Sequence, residues 1–207
     1  MHPRWGPRRA RICHHLAIQR YCISCFTCLL TQFSGSNVCW VTQLVVSSEH
    51  RERGIATTLL HLLPGPDVKC TAFGLASTHP AACAALSKRA RMFLPRLHVL
   101  DLQLILAKFC PPSDANLRKF DLDFIKAHAQ MIIDTSPVSY LKNAQIHGSL
   151  FQDGTDGGAV CSVNTEFFVD HDEPLQTLKR WEERQDMAWP LGKLAEGHEF
   201  LCIVPLK

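Results

Sequence analysis

CWVTQLVVSSEHRERGIATTLLHLL, Cys39 to Leu63, passes from a strand pattern to a helix pattern across one short charged segment. Trp40 to Val46 is crowded with β-branched and aromatic residues and carries no charge, which predicts a buried strand. Ser47 to Arg53 is polar and charged. Gly54-Ile55-Ala56 then opens an apolar run to Leu63, with Ile55, Leu59, Leu62 and Leu63 on one helical face. A strand, a tight turn and a helix that begins at a glycine make an anion site. The first amides of a helix have no partner inside it, and its dipole favours negative charge there. Gly54 would let the backbone approach such a ligand with no Cβ in the way. The plainer reading is a βα unit whose glycine only serves the turn.

The 207 residues are 46% hydrophobic and 20% charged, enough for one well-buried domain. The net charge of +3 is unevenly spread. Residues 1–20 hold five arginines and no acid, which leaves 17 basic against 19 acidic residues beyond them. The body therefore has no global nucleic-acid signature. Ten cysteines are scattered through an otherwise ordinary composition. They are expected to be buried thiols in a reducing compartment, which points to the cytoplasm. No apolar stretch approaches the roughly 20 residues that cross a bilayer. The nearest, Leu16 to Phe33, contains Gln19, Arg20 and Gln32.

Before the central stretch, Met1 to Arg20 reads as a basic leader without order. A mitochondrial presequence is the less favoured reading, because the segment has no serine. Tyr21 to Phe33, YCISCFTCLLTQF, is a strand or a short helix. Its cysteines Cys22, Cys25 and Cys28 are three apart, a spacing for which zinc is conceivable. The segment is too apolar for a metal knuckle and no second CxxC pair follows, so no metal site is assigned. Pro64-Gly65-Pro66-Asp67 stops the central helix. CTAFGLA, from Cys70, predicts a second strand parallel to the first, because a helix separates them. Ala81 to Ala90 predicts a helix, capped by Ser77 or Thr78 with Pro80 in its first position. Leu97 to Leu106 alternates like a strand, and Cys110 to Leu117 reads as a linker. Asp121 to Ile133 predicts an amphipathic helix. Strands are expected at His147 to Gln152, Ser162 to Val169 and Phe200 to Val204. Asp172 to Arg184 predicts a helix with acids at its start and bases at its end, as the dipole favours.

Arg51-x-x-Gly54-x-Ala56, set between a strand and a helix, resembles the acetyl-coenzyme A signature of the GNAT superfamily of N-acetyltransferases. The likeness covers Val38 to Leu63, and the next strand and helix resemble the following βα unit of that superfamily. The tail, with Phe167 to His171 and Gly197 to Leu201, is similar to that of little-characterised fungal members. The resemblance implies an α/β fold with a central mixed sheet flanked by helices, one acyl-coenzyme A N-acyltransferase-like domain over residues 21–207. It implies transfer of an acetyl group from acetyl-coenzyme A to an amine, small molecule or peptide. Amides from Glu52, Arg53, Gly54, Ile55 and Ala56 would hold the pyrophosphate, with Thr57 adding a hydroxyl and Arg51 bordering the loop. Leu44, Val45 and Val46 would bond the pantetheine arm beside a splay between strands. A directed amide there would stabilise an oxyanion.

Three departures follow. No tyrosine lies between Tyr21 and Tyr140 to protonate a leaving thiolate, which leaves water, Cys83 or Ser87. The general base is not evident; His79, at the end of the second strand, ranks above Glu49 on the charged turn. Only 37 residues precede Val38, so the N-terminal half is expected to be incomplete. Two other classes compete: a weak or inactive coenzyme-binding relative, and a zinc-binding regulatory protein. A serine hydrolase or P-loop nucleotidase is unsupported, because neither Gly-x-Ser-x-Gly nor a Walker loop is present.

Overall fold

The computed structural model describes residues 11–18, 21–63, 70–91, 120–151 and 157–206. A mixed seven-stranded sheet, ordered β1-β2-β3-β4-β7-β6-β5, carries helices on both faces. β1 (Arg11–Ile18), β2 (Tyr21–Phe33) and β3 (Ser36–Val46) form an antiparallel meander. Ser34 and Gly35 turn the second hairpin with φ of 48° and 78°, the left-handed pair that a two-residue turn requires. Helix α1 (Ile55–Leu60) then crosses to β4 (Cys70–Ser77), which pairs parallel with β3 as expected. β7 (His198–Pro205) lies antiparallel between β4 and β6 (Ser162–Asn164), and β5 (Ile146–His147) is the far edge. No helix among the described residues is long and apolar enough to cross a membrane.

Arg11–Ile18, placed by the sequence reading in the disordered leader, is β1, paired with β2 from Arg11↔Leu29 to Ile18↔Tyr21. Five arginines and no acid over residues 1–20 give this stretch the composition of a leader. Residues 12–18 carry no charged Asp, Glu, Lys or Arg and suit a strand paired along the edge of β2. Residues 1–10, the strand expected at Leu97 to Leu106 and the linker at Cys110 to Leu117 lie outside the described residues.

Side-chain alternation assigns the faces. Cys39 and Phe73 are partners across β3 and β4, and Arg89 of α2 (Pro80–Arg91) lies over the Phe73 ring at 5.6 Å. That face carries α1 and α2. Trp40 and Gly74 point the other way, as does Phe33, which meets His128 of α3 (Leu122–Asp134) at 5.9 Å. Asp121 caps α3 by accepting from the Phe124 amide at 3.0 Å. α4 (Asp172–Gln185) returns to the first face, where Trp181 meets Trp189 and Trp189 meets Phe200.

Trp40 is fully buried, and its six-membered ring lies flat on Gly74. A Cβ at Gly74 would stand 2.7 Å from Trp40 Cε3, a contact that neither the strand nor the ring can relieve by a rotamer change. Gly74→Ala is expected to cost roughly 1–3 kcal/mol, read as a lower denaturant midpoint at unchanged slope.

Arg89 is 7% exposed. It donates Nε to the Leu60 carbonyl at 3.0 Å and Nη2 to the Leu63 carbonyl at 3.4 Å, so it closes the C-terminal end of α1. Beside it, burial and the Arg89 charge push His61 down to about 4 from 6.5. The unfolded chain therefore binds the proton first as pH falls. Stability from neutral His61 is present above 6.5 and lost on acidification to about 4. Glu199, raised by burial above 4.5, slopes the opposite way over its own range. Comparing His61→Asn with wild type isolates the term: the variant should lose less Tm between pH 7 and pH 4.

Candidate functional site

β3 and β4 part company along their length. Their parallel ladder runs from Asn37↔Cys70 to Trp40↔Gly74 and ends there, while β3 continues to Val46 and β4 to Ser77. The two strands thus open toward their C-terminal ends. β3 stays paired with β2 on its other edge, through Leu44↔Phe26, Val45↔Cys25 and Val46↔Ser24. Between Val41↔Cys28 and Gln43↔Thr27 the register slips, which leaves Thr42 without a partner. This is a β-bulge directly beyond the end of the β4 ladder, and it turns the backbone there. Thr42 Oγ1 meets Thr27 Oγ1 at 2.6 Å, which pins the bulge to β2. Beyond it Leu44 and Val46 pack on the core, whereas Val45 is 54% exposed on the opposite face.

The chain leaves β3 through Ser47 and a 3-10 turn, Ser48–His50, that holds the exposed Glu49. Glu52 follows with φ 58° and Gly54 with φ 75°, two left-handed residues two apart. Such a chain turns successive amides toward one concavity. Gly54 is also the N-cap of α1, and no side chain caps that helix. The first helical bond is Thr58 N to Gly54 O at 2.9 Å. The amides of Gly54, Ile55, Ala56 and Thr57 find no acceptor among the described residues. These donors, not a side-chain set, are what a pyrophosphate fits: several amides aimed at one end of a helix whose dipole is positive there.

Side chains from α4 surround the loop. Arg51 donates Nε to the Val46 carbonyl at 3.1 Å and pairs through Nη1 with Glu173. The Val46 carbonyl, expected to serve a pantetheine arm, is therefore already engaged. Glu52 is held by Arg180 at 3.4 Å and Arg184 at 3.3 Å. Arg53 is exposed.

His79 sits where expected, between β4 and α2, but caps the helix. Ala81 N donates to its Nδ1 at 3.2 Å, and His79 N donates to Ser77 Oγ at 3.1 Å. The cap is thus His79, not Ser77 or Thr78. An amide donor on Nδ1 puts the ring proton on Nε2, which stands 3.6 Å from Glu173 Oε1. Burial, helped by the charges of Arg51 and Arg180, holds the ring below its ordinary value, so it is neutral at pH 7. In this state His79 keeps its proton on a buried Nε2 on the side of Glu173, and its lone pair is spent on the helix. No described contact joins Glu49 to it.

Cys83 and Ser87, considered as proton donors, are buried on α2 at 0% and 2% exposure, away from the mouth. The strand geometry of β2 also places Cys25 half-buried and Cys28 fully buried, since residues three apart point to opposite faces. Among the described residues no three His, Cys, Asp or Glu side chains converge on a metal position. A cleft of about 460 Å³ lies between α3 and β5. Lys126, Gln130 and Gln145 line it over Met131, Ile146 and Phe151, with no carboxylate, thiol or imidazole for acid–base work.

The sequence signal missed Glu173, Arg180 and Arg184, because nothing in a helix 120 residues downstream announces which loop it covers. The mixed sheet, its split pair of strands and the helix-opening loop are consistent with the GNAT architecture. No protein family's profile matches the chain, and no curated protein matches it in sequence.

Proposed function

We propose that the protein transfers an acetyl group from acetyl-coenzyme A to an amine, with the coenzyme lying across the loop from Glu52 to Thr57 and along the open edge of β3. One observation carries this reading: the strand opening, the bulge and the acceptor-less amides all lie at the same end of β3 and α1. A coenzyme with a pyrophosphate and an extended amide-bearing arm needs those two features side by side.

The bound coenzyme supplies an activated acyl thioester, whose acyl carbon forms a bond to the amine nitrogen as coenzyme A departs as a thiol. Gly54, Ile55, Ala56 and Thr57 bind by their amides. The backbone around the Thr42 bulge can aim a donor at a developing oxyanion. Holding two reactants together in the β3–β4 opening supplies much of the rest. The neutral amine is the reactive species, and its proton passes to water, since His79 holds Ala81 with its lone pair. The departing sulfur also takes its proton from water, because giving up Nε2–H would leave the neutral His79 ring an imidazolate. Glu49 has no described route to either proton.

A second reading, coenzyme binding without transfer, is favoured by the engagement of His79 Nδ1. Incubation with acetyl-coenzyme A and a panel of polyamines, arylamines and peptide amines separates the two. Amine-dependent release of free thiol is expected. Saturable coenzyme binding with no thiol release from any amine would favour the second reading.

A further inference from the structure

We propose that residues 166–170 are a docking edge for an extended peptide of another protein, one with lysine or arginine on both sides of a short apolar stretch. The proposal stands apart from the coenzyme reading. Phe167, Phe168 and Val169 are 45%, 73% and 50% exposed. Three large apolar residues in succession on a surface cost solubility unless a partner covers them. The run is also held in place. Thr165 and Glu166 donate their amides to the Gly197 carbonyl at 3.1 and 3.0 Å, and Asp170 Oδ1 accepts from the Asp172 amide at 2.8 Å, at the start of α4. Between these anchors the chain has no helix, turn or bend. The Phe167 ring meets the Tyr140 ring edge-on at 5.0 Å. The Phe168 ring lies against Gly197, where a Cβ would stand 3.2 Å from its Cε1.

What covers this run follows from its backbone and its charge. The amides of Phe167, Phe168 and Val169 have no acceptor among the described residues. An unbent segment with unpaired amides is an edge to which a further strand adds, its alternate side chains meeting those of the incoming chain. The exposed acids Glu166 and Asp170 close the two ends of the run, with Asp172 just beyond. None of the three enters an ion pair among the described residues. A second copy of this chain is therefore a poor occupant. Antiparallel pairing centred on Phe168 sets Glu166 against Asp170, and in-register parallel pairing sets each acid against itself. Like charges opposite one another destabilise a strand pair. A basic peptide instead meets an acid at each end and apolar side chains between them.

Fluorescence anisotropy of a labelled probe peptide, Lys-Arg-Val-Ile-Val-Arg-Lys, titrated with the full chain tests this. Saturable binding is expected. Phe168→Ser, at an exposed position that leaves the core untouched, should weaken it about fivefold or more. Asp170→Asn keeps the acceptor for the Asp172 amide but not the charge, and should weaken it about twofold. A probe with glutamate at every basic position, and one N-methylated at its central amides, should each bind about tenfold more weakly or worse. Absence of saturable binding overturns the proposal. So does equal binding by wild type and Phe168→Ser, or equal binding of the acidic or the N-methylated probe. A wild-type dimer in sedimentation that Phe168→Ser dissociates overturns it too, and would assign the run to a second copy.

Discussion

Replacing Gly54 with asparagine is expected to leave the fold standing and weaken acetyl-coenzyme A binding. Gly54 adopts φ 75° as the N-cap of α1. Asparagine is among the few residues that accept this conformation, at a cost of roughly 1 kcal/mol. It is also a competent N-cap, so α1 should form. What it adds is a side chain at the point where four amides await an acceptor. That side chain both blocks close approach and can satisfy an amide itself. A loss of at least about tenfold in affinity is expected, equivalent to 1.4 kcal/mol or more. Circular dichroism and Tm report the fold, and calorimetry reports the site. Wild-type affinity in Gly54→Asn would mean the glycine serves the turn alone, the plainer reading of the sequence.

Arg89→Ala should be the most destabilising of these substitutions. Two terminal carbonyls of the α1 turn, Leu60 and Leu63, lose a charged donor in a place that water reaches poorly. Buried acceptors left unpaired are costly, and hydrogen bonds to charged groups exceed neutral ones. The stacking on Phe73 is lost as well. Together about 3 kcal/mol is expected, or a Tm lower by about 6–12 °C for a chain of this size. Arg89→Lys keeps the charge but not the fork and should fall between. A loss for Arg89→Ala below about 0.5 kcal/mol, the usual surface range, would show that α1 does not depend on this closure.

The central stretch was legible because its periods are pure. Trp40 to Val46 has a strand's composition, and Ile55 to Leu63 a helix's apolar face; both occur where expected. The parallel β4, α2 and β7 followed from the same patterns. The edge of the sheet was less so. Ser162 to Val169 is apolar enough for a strand, yet pairing stops at Asn164. Thr165 and Glu166 turn their amides to the Gly197 carbonyl, and Glu166 takes φ 57°. A local pattern does not contain that long-range partner. His79 shows the same limit for chemistry. Its position was readable, but the use of its lone pair depended on where Pro80 began the helix. The Glu173 and Glu52 contacts depend on packing between segments about 120 residues apart, which no local spacing encodes.

The most direct test of the coenzyme site is a crystal structure with acetyl-coenzyme A. Pyrophosphate oxygens are expected within hydrogen-bond distance of the Gly54 to Thr57 amides, with a pantetheine arm along β3 beyond Trp40, in the opening from β4. Coenzyme bound elsewhere, as in the cleft between α3 and β5, or no bound coenzyme at saturating concentration, would contradict this placement.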